Sequence, residues 1–187
     1  AFEYLYHQCC NDVVQERFSP ELKCDVALRL AALHIQQHAI TNGHSGNKIN
    51  VKNIEREFGL EKFVPNSLLE GMKRKELRKL LSHFMKVQAG AAVSAGQKHV
   101  PALQPKLHYL KIIAELPSYG AKCFSGCVME ANQESVILIS PRFGISQITG
   151  IRNTMPEALC DIDQITNVSV SREEDNISLK VEISLKD

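Results

Sequence analysis

Catalytic signatures are what this sequence most conspicuously lacks. Its ten glycines form neither a GxGxxG nor a GxxxxGK[ST] pattern, so no phosphate-binding loop is written in the chain. No GxSxG elbow and no known cysteine–histidine signature occurs, which leaves nucleophilic catalysis without a positioned base or an oxyanion site. The six cysteines (Cys9, Cys10, Cys24, Cys123, Cys127, Cys160) include no CxxC pair and keep no regular spacing. That excludes a zinc ribbon, argues against a secreted disulfide scaffold, and fits reduced thiols in a cytosolic compartment. The formal net charge is only +1, so no global field argues for nucleic acid, and any electrostatic function must come from a local patch. No apolar run approaches the ~20 residues needed to span a bilayer. The opening Ala1-Phe2-Glu3-Tyr4 has neither the charged nor the apolar region of a secretory signal. If a membrane matters here, the protein sits on it.

What is present is enough apolar residue, 44% of 187, to bury a core as one domain or as two packed smaller ones. Phe2, Leu5, Tyr6, Cys9 and Val13 recur at three- and four-residue steps and predict a first helix over about 17 residues. Ser19-Pro20-Glu21 restarts the chain as a second helix, with serine to cap it, proline at a position that needs no donor, and glutamate at the positive end of the dipole. Its stripe is Cys24, Ala27, Leu28, Ala31, Ile35 and Ala39. Residues 41–47 read as a loop; Asn50 is placed to cap a short helix that Gly59 ends in a left-handed conformation. Residues 65–86 predict one or two further helices with Leu77, Leu80, Leu81, Phe84 and Met85 on one face. Residues 88–106 are rich in Ala, Gly, Pro and Ser, and the middle of this stretch predicts an exposed connection. A last helical pattern of Leu103, Leu107, Leu110, Ile113 and Ala114 stops at Leu116-Pro117. Alternating, β-branched segments then take over at 135–140, 144–149, 165–171 and 177–185. Leu28, Leu33, Leu77, Leu80 and Leu110 are the expected helical core, with no strand anywhere in residues 20–39.

Four of these stretches, in order, resemble the middle lobe of a FERM domain. Leu5-Tyr6-His7-Gln8 with Asp12-Val13-Val14 is similar to its opening helix, and Ala27-Leu28-Arg29-Leu30-Ala31-Ala32-Leu33 to its second. Phe63-Val64-Pro65-Asn66-Ser67-Leu68-Leu69 resembles its phenylalanine-proline turn, and Tyr109-Leu110 through Leu116-Pro117-Ser118-Tyr119-Gly120 its exit. The resemblance implies an α+β chain: an all-helical, acyl-CoA-binding-protein-like lobe over residues 1–117, then a pleckstrin-homology-like β-sandwich over 118–187. The third lobe matches more loosely, through Phe124 and 135–149. The family's third lobe normally finishes with another strand and a long helix, and a ubiquitin-like lobe normally precedes the middle one, so the chain is expected to be a piece of a larger protein.

Within the family, Gly59-Leu60-Glu61-Lys62-Phe63-Val64-Pro65 and Lys73-Arg74-Lys75-Glu76-Leu77-Arg78-Lys79 are similar to the FERM domain of focal adhesion kinases. Residues 106–127 and Ser140-Pro141-Arg142-Phe143-Gly144-Ile145-Ser146 read closer to FERM and PDZ domain-containing scaffolds, the favoured reading. Neither implies a catalytic residue, a cofactor or a metal. The scaffold reading implies a peripheral, cytoplasmic module that links the phosphoinositide-containing inner plasma membrane to protein partners and the cortical cytoskeleton. The alternatives are the regulatory FERM lobes of a kinase and, because the middle lobe shares its fold with acyl-CoA-binding proteins, an acyl-chain carrier.

Lys73, Arg74, Lys75, Arg78 and Lys79 place five cations in seven residues, diluted by Glu76, with Lys86 beyond them. If Leu77, Leu80, Leu81 and Phe84 face inward, Lys75, Arg78, Lys79 and Lys86 project outward. Cations near a helix N-terminus oppose its dipole at a cost of ~0.3 kcal/mol or more each, so helix stability alone would not select them. The kinase resemblance implies acidic-lipid or phosphoinositide binding for this stretch, where each cation near an anionic surface contributes about 1 kcal/mol. The bland alternative is a solvated face. His34 and His38 have the i, i+4 spacing of a metal pair, but Gln36 and Gln37 stand where a glutamate would be, and helix packing is the better account. Cys9, Cys10 and Cys24 fall on core stripes, as small buried hydrophobes. Cys123 and Cys127, four apart on one expected strand, are too distant at ~3.3 Å per residue to be bridged.

Overall fold

The computed structural model describes all of the chain except residues 19–21, 45, 47, 48, 95–100, 130–132, 150–155, 176 and 187; for residues 91–94 and 133 it describes the backbone alone. The chain divides into two units, Ala1–Leu116 and Pro117–Asp187. The first holds six helices among its described residues: α1 (Phe2–Val14), α2 (Cys24–Thr41), α3 (Val51–Phe58), α4 (Asn66–Gly71), α5 (Arg74–Ser94) and α6 (Leu103–Ala114). The second is antiparallel: a four-stranded meander of β1 (Lys122–Val128), β2 (Gln133–Ser140), β3 (Gly144–Thr149) and β4 (Glu157–Cys160), and a ribbon of β5 (Ile165–Arg172) and β6 (Leu179–Leu185).

Helix α2 is the centre of the helical unit because it is apolar nearly all round, the mark of a helix packed on several sides. Leu28, Leu30, Ala31, Ala32, Leu33, His34, Ile35 and Ala39 are all buried, and α5 and α6 both pack on it. No strand occurs among the described residues of 20–39, whereas the expected Ser19 cap lies outside the described residues. Cys24 is exposed, contrary to expectation. It is the first residue of α2 and stands at the end of the stripe.

Helix α3 begins and ends by local chemistry. The Asn50 carboxamide oxygen accepts from the Asn53 N–H at 2.9 Å, satisfying one of the donors a helix start leaves free. Gly59 ends the helix with φ +78°, a value that side-chain-bearing residues rarely adopt.

Two expectations in the second half of this unit are corrected. Helix α5 runs on to Ser94, past Lys86 where the helical pattern is expected to end, and the middle of the expected connection, 95–100, lies outside the described residues. Alanine is the best helix former, and one Gly90 within that run costs only about 1 kcal/mol. On α6 the buried residues are Pro105, Lys106, Tyr109, Ile112 and Ile113, while Leu103 and Leu107 are 52% and 49% exposed. Tyr109 sets this rotation: its ring meets Tyr6 edge-on at 5.4 Å and His34 at 6.3 Å, a larger buried contact than a leucine stripe offers. Leu110, on the flank, is half-buried, as is Leu80 on α5; Leu28, Leu33 and Leu77 are fully in the core.

In the β unit, β2 pairs with β1 on one side and β3 on the other, with Ile137 opposite both Phe124 and Gln147. Gly144, where β3 leaves the turn, has φ +69°, and an added Cβ would lie 2.1 Å from the Cys160 carbonyl oxygen at the end of β4. Strand β4 has no counterpart in the sequence reading, because its four residues carry little pattern. Strand β6 starts at Leu179 and not at 177, because the Asp175 carboxylate accepts from the N–H groups of Ile177 and Ser178 and folds that stretch into a turn.

Candidate functional site

The orientation of the basic helix is fixed by its apolar face. Leu77 and Leu81 are fully buried, and Leu80, Phe84 and Met85 pack half-buried against the same cluster, which includes Leu28, Ala31, Ile35, Val51 and Ile54 from α2 and α3. With that face committed, the cations can only flank or oppose it.

The six expected lipid-facing cations then separate into two groups. Arg74 reaches back across α3: its Nε lies 3.7 Å from Glu55 Oε1, and its Nη2 donates to Glu61 Oε1 at 3.3 Å. Arg78 Nε lies 2.5 Å from Glu55 Oε2. Glu61 is held below the usual carboxylate range by its own backbone N–H first and by Arg74 second. These two guanidiniums tie α5 to α3 and to the turn after it. Lys73, Lys75, Lys79 and Lys86 are exposed, and no ion pair among the described residues involves them. Lys73 precedes the helix and its carbonyl accepts the Leu77 N–H, so the lysines on the helix proper are Lys75, Lys79 and Lys86.

Glu55 and Glu61 are the residues that sequence reasoning missed. Arg74 and Glu61 are 13 positions apart, and nothing in their local spacing links them. The signal that could have found them is helix phase: α3 buries Val51 and Ile54, which leaves Glu55 beside its buried edge.

The histidine pair serves packing. His34 is buried, its ring 4.8 Å from that of Phe63, and burial, with smaller contributions from His38 and Lys62, pulls its pKa down to about 3. His38 stacks edge-on to Phe58 at 4.5 Å and approaches Lys62 Nζ at 3.4 Å; burial first and Lys62 second hold it below the usual imidazole range. No cluster of three possible ligands occurs among the described residues. Cys9 and Cys10 are buried as expected, and burial pushes both thiols up to about 11, which keeps them protonated and inert. Lys106, buried on α6, donates to Glu3 Oε2 at 2.6 Å and lies 5.5 Å from the Tyr6 ring centre, closing α1 onto α6.

The β unit carries an open cleft of about 990 Å³ lined by residues that include Ser125, Cys127, Val136, Ile148, Leu179 and Val181. Register puts Val168 opposite Ile183 and Val170 opposite Val181, so one face of the ribbon is apolar, and these four side chains are exposed. Among the described residues no helix is long and apolar enough to cross a membrane.

Comparison with known proteins matches this arrangement. The family model of the FERM central domain fits residues 1–124. Over its whole length the chain is 39% identical to the FERM and PDZ domain-containing protein 1 of Mus musculus and 38% identical to that of Homo sapiens, and it spans 12% of each. Among solved structures, the FERM and C-terminal domain complex of Drosophila Merlin superposes with a TM-score of 0.65 at 12% identity, covering 99% of this chain and 58% of that one. The MyTH4-FERM MF2 domain of Dictyostelium discoideum myosin VII gives 0.64 at 12% identity, covering 98% and 34%. Those structural likenesses show the fold alone, a helical acyl-CoA-binding-protein-like lobe and a pleckstrin-homology-like lobe. With the family model and the full-length sequence identity they leave one assignment: the chain belongs to the FERM domain family.

Proposed function

We propose that this chain is a non-enzymatic docking module of a PDZ-containing scaffold protein, which it holds at acidic, phosphoinositide-containing lipid on the inner face of the plasma membrane or cell cortex, and against protein partners. The observation that carries the lipid part is the row of exposed lysines, Lys75, Lys79 and Lys86, on a helix whose opposite face is locked in the core. Family membership and the names of the two full-length relatives support the scaffold part. An acyl-chain carrier is less well supported, because Leu28, Ile35, Phe63, Leu77 and Leu81 fill the interior of the helical unit.

Each exposed lysine near an anionic surface contributes about 1 kcal/mol, and the attraction is screened over roughly 8 Å at physiological salt. Co-sedimentation with vesicles containing phosphatidylinositol bisphosphate tests the reading. The wild-type chain should pellet, less so as salt rises, and K75A/K79A/K86A should stay in solution while keeping its thermal midpoint. Equal pelleting of the two folded proteins would contradict the proposal.

A further inference from the structure

We infer that the α5 lysines recognise the charge density of an anionic bilayer and not the headgroup of a particular phosphoinositide; this rests on the membrane reading above. The first ground is what the arginines are doing. Among the six cations, only Arg74 and Arg78 carry the planar fork that grips a phosphate through two parallel hydrogen bonds. Both face carboxylates instead, Arg74 at Glu55 and Glu61 and Arg78 at Glu55. The Arg78 Nε is moreover shut off from solvent. A phosphate gripping either fork through its Nε would have to displace these carboxylates.

The second ground is the geometry of what remains. Lys75, Lys79 and Lys86 lie at i, i+4 and i+11 of one continuous helix, Arg74–Ser94. At 100° and 1.5 Å per residue they fall within about 40° of one another and are strung along about 16 Å of axis. A row on a convex helix is too long for one headgroup to touch all three ammonium groups. It matches a plane that carries many charges. The cleft of about 990 Å³ that could enclose a headgroup is lined wholly by residues of the β unit and includes none of these lysines.

The third ground is the chemistry of the lysine ammonium. It is a compact, strongly hydrated point charge on a flexible stem, so it sums electrostatic attraction without fixing the orientation of its partner. Glu76, exposed in the first turn of α5, sits about 60° round the helix from Lys79 and would penalise a multiply charged headgroup held close on that side.

Binding of the whole chain is measured on two sets of phosphatidylcholine vesicles, one doped with phosphatidylserine and one with phosphatidylinositol bisphosphate, matched in surface potential, at physiological ionic strength. Soluble inositol trisphosphate is added as competitor. The expected result is affinity equal within about threefold on the two sets, no competition, and a loss on both of the order of 100-fold in K75A/K79A/K86A. A tenfold or greater preference for the bisphosphate vesicles, or competition by the soluble headgroup, overturns the inference and leaves the membrane reading standing. Absence of binding to either set overturns the membrane reading itself, and the inference with it.

Discussion

Arg78 Nε lies 2.5 Å from Glu55 Oε2, and this one pair decides which of the basic residues are structural. It joins the exposed side of α5 to α3, and Arg74 extends it to Glu61. The arginine side chains are 39% and 37% exposed, so solvent screens both contacts. Exposed pairs of this kind are worth 0 to about 1 kcal/mol. Truncating Arg78 also removes the packing of its stem. R78A is expected to lower the unfolding free energy of the helical unit by about 1 kcal/mol, and K79A to leave it within about 0.5 kcal/mol of wild type, in urea titrations followed by helical circular dichroism.

His34 predicts an acid-sensitive stability. In the unfolded chain an imidazole takes up its proton near pH 6.5, whereas in the folded chain burial delays this to about pH 3. Between those values the unfolded state binds more protons, so stability falls as pH drops from 6.5 towards 3. The loss from this one group should reach about 2 kcal/mol at pH 5. H34F removes the titrating group, and with it the ring Nδ1 that has no hydrogen-bond partner among the described residues. Its stability should fall less than that of wild type between pH 7 and pH 5, where most carboxylates remain ionised, and the remaining slope comes from His38 and His108, which burial also holds below the usual imidazole range. An undiminished slope in H34F would show that another group carries the acid sensitivity.

The cysteines should sort by burial. Cys9 and Cys10 are protected by position and by thiol pKa values pushed up to about 11; Cys24, Cys123 and Cys127 are exposed. Iodoacetamide at neutral pH, read by peptide mass spectrometry, should label the exposed three in the native protein and reach Cys9 and Cys10 only in denaturant. Rapid native labelling of Cys10 would refute the packing of α1 against α6.

Gly144 should tolerate no side chain. Its φ of +69° and the Cys160 carbonyl 2.1 Å from any added Cβ leave neither conformation nor space. G144A is expected to destabilise the β unit by at least 1–3 kcal/mol, seen as an earlier loss of strand signal on heating, with the helical signal unmoved. A wild-type β transition in G144A would mean that this turn is looser than its geometry.

The parts that were legible in the sequence are those governed by local rules. Asn50 and Gly59 bound α3 as their capping chemistry predicts, and the apolar run of 27–35 gave α2. On α6 the difference has a tertiary cause, because a helix has a single face to commit and its packing partners choose it. The expected stripe of Leu103, Leu107, Leu110, Ile113 and Ala114 shares Ile113 with the buried face, but the Tyr6–His34–Tyr109 contact turns the helix so that Tyr109 and Ile112 are buried and Leu103 and Leu107 are exposed. At the candidate site the sequence displayed six cations but not their counter-ions, because Glu55 and Glu61 meet Arg74 and Arg78 only once α3 and α5 have packed.

The proposed division of the α5 cations between holding the fold and meeting a membrane is open to a paired comparison. Chemical unfolding and anionic-vesicle binding are measured side by side for wild type, R74A/R78A and K75A/K79A/K86A. The arginine variant is expected to lose about 1–2 kcal/mol of stability yet bind vesicles within a few-fold of wild type, while the lysine variant unfolds like wild type and loses binding by about two orders of magnitude. The opposite pattern, with binding lost in the folded arginine variant and kept in the lysine variant, would contradict it.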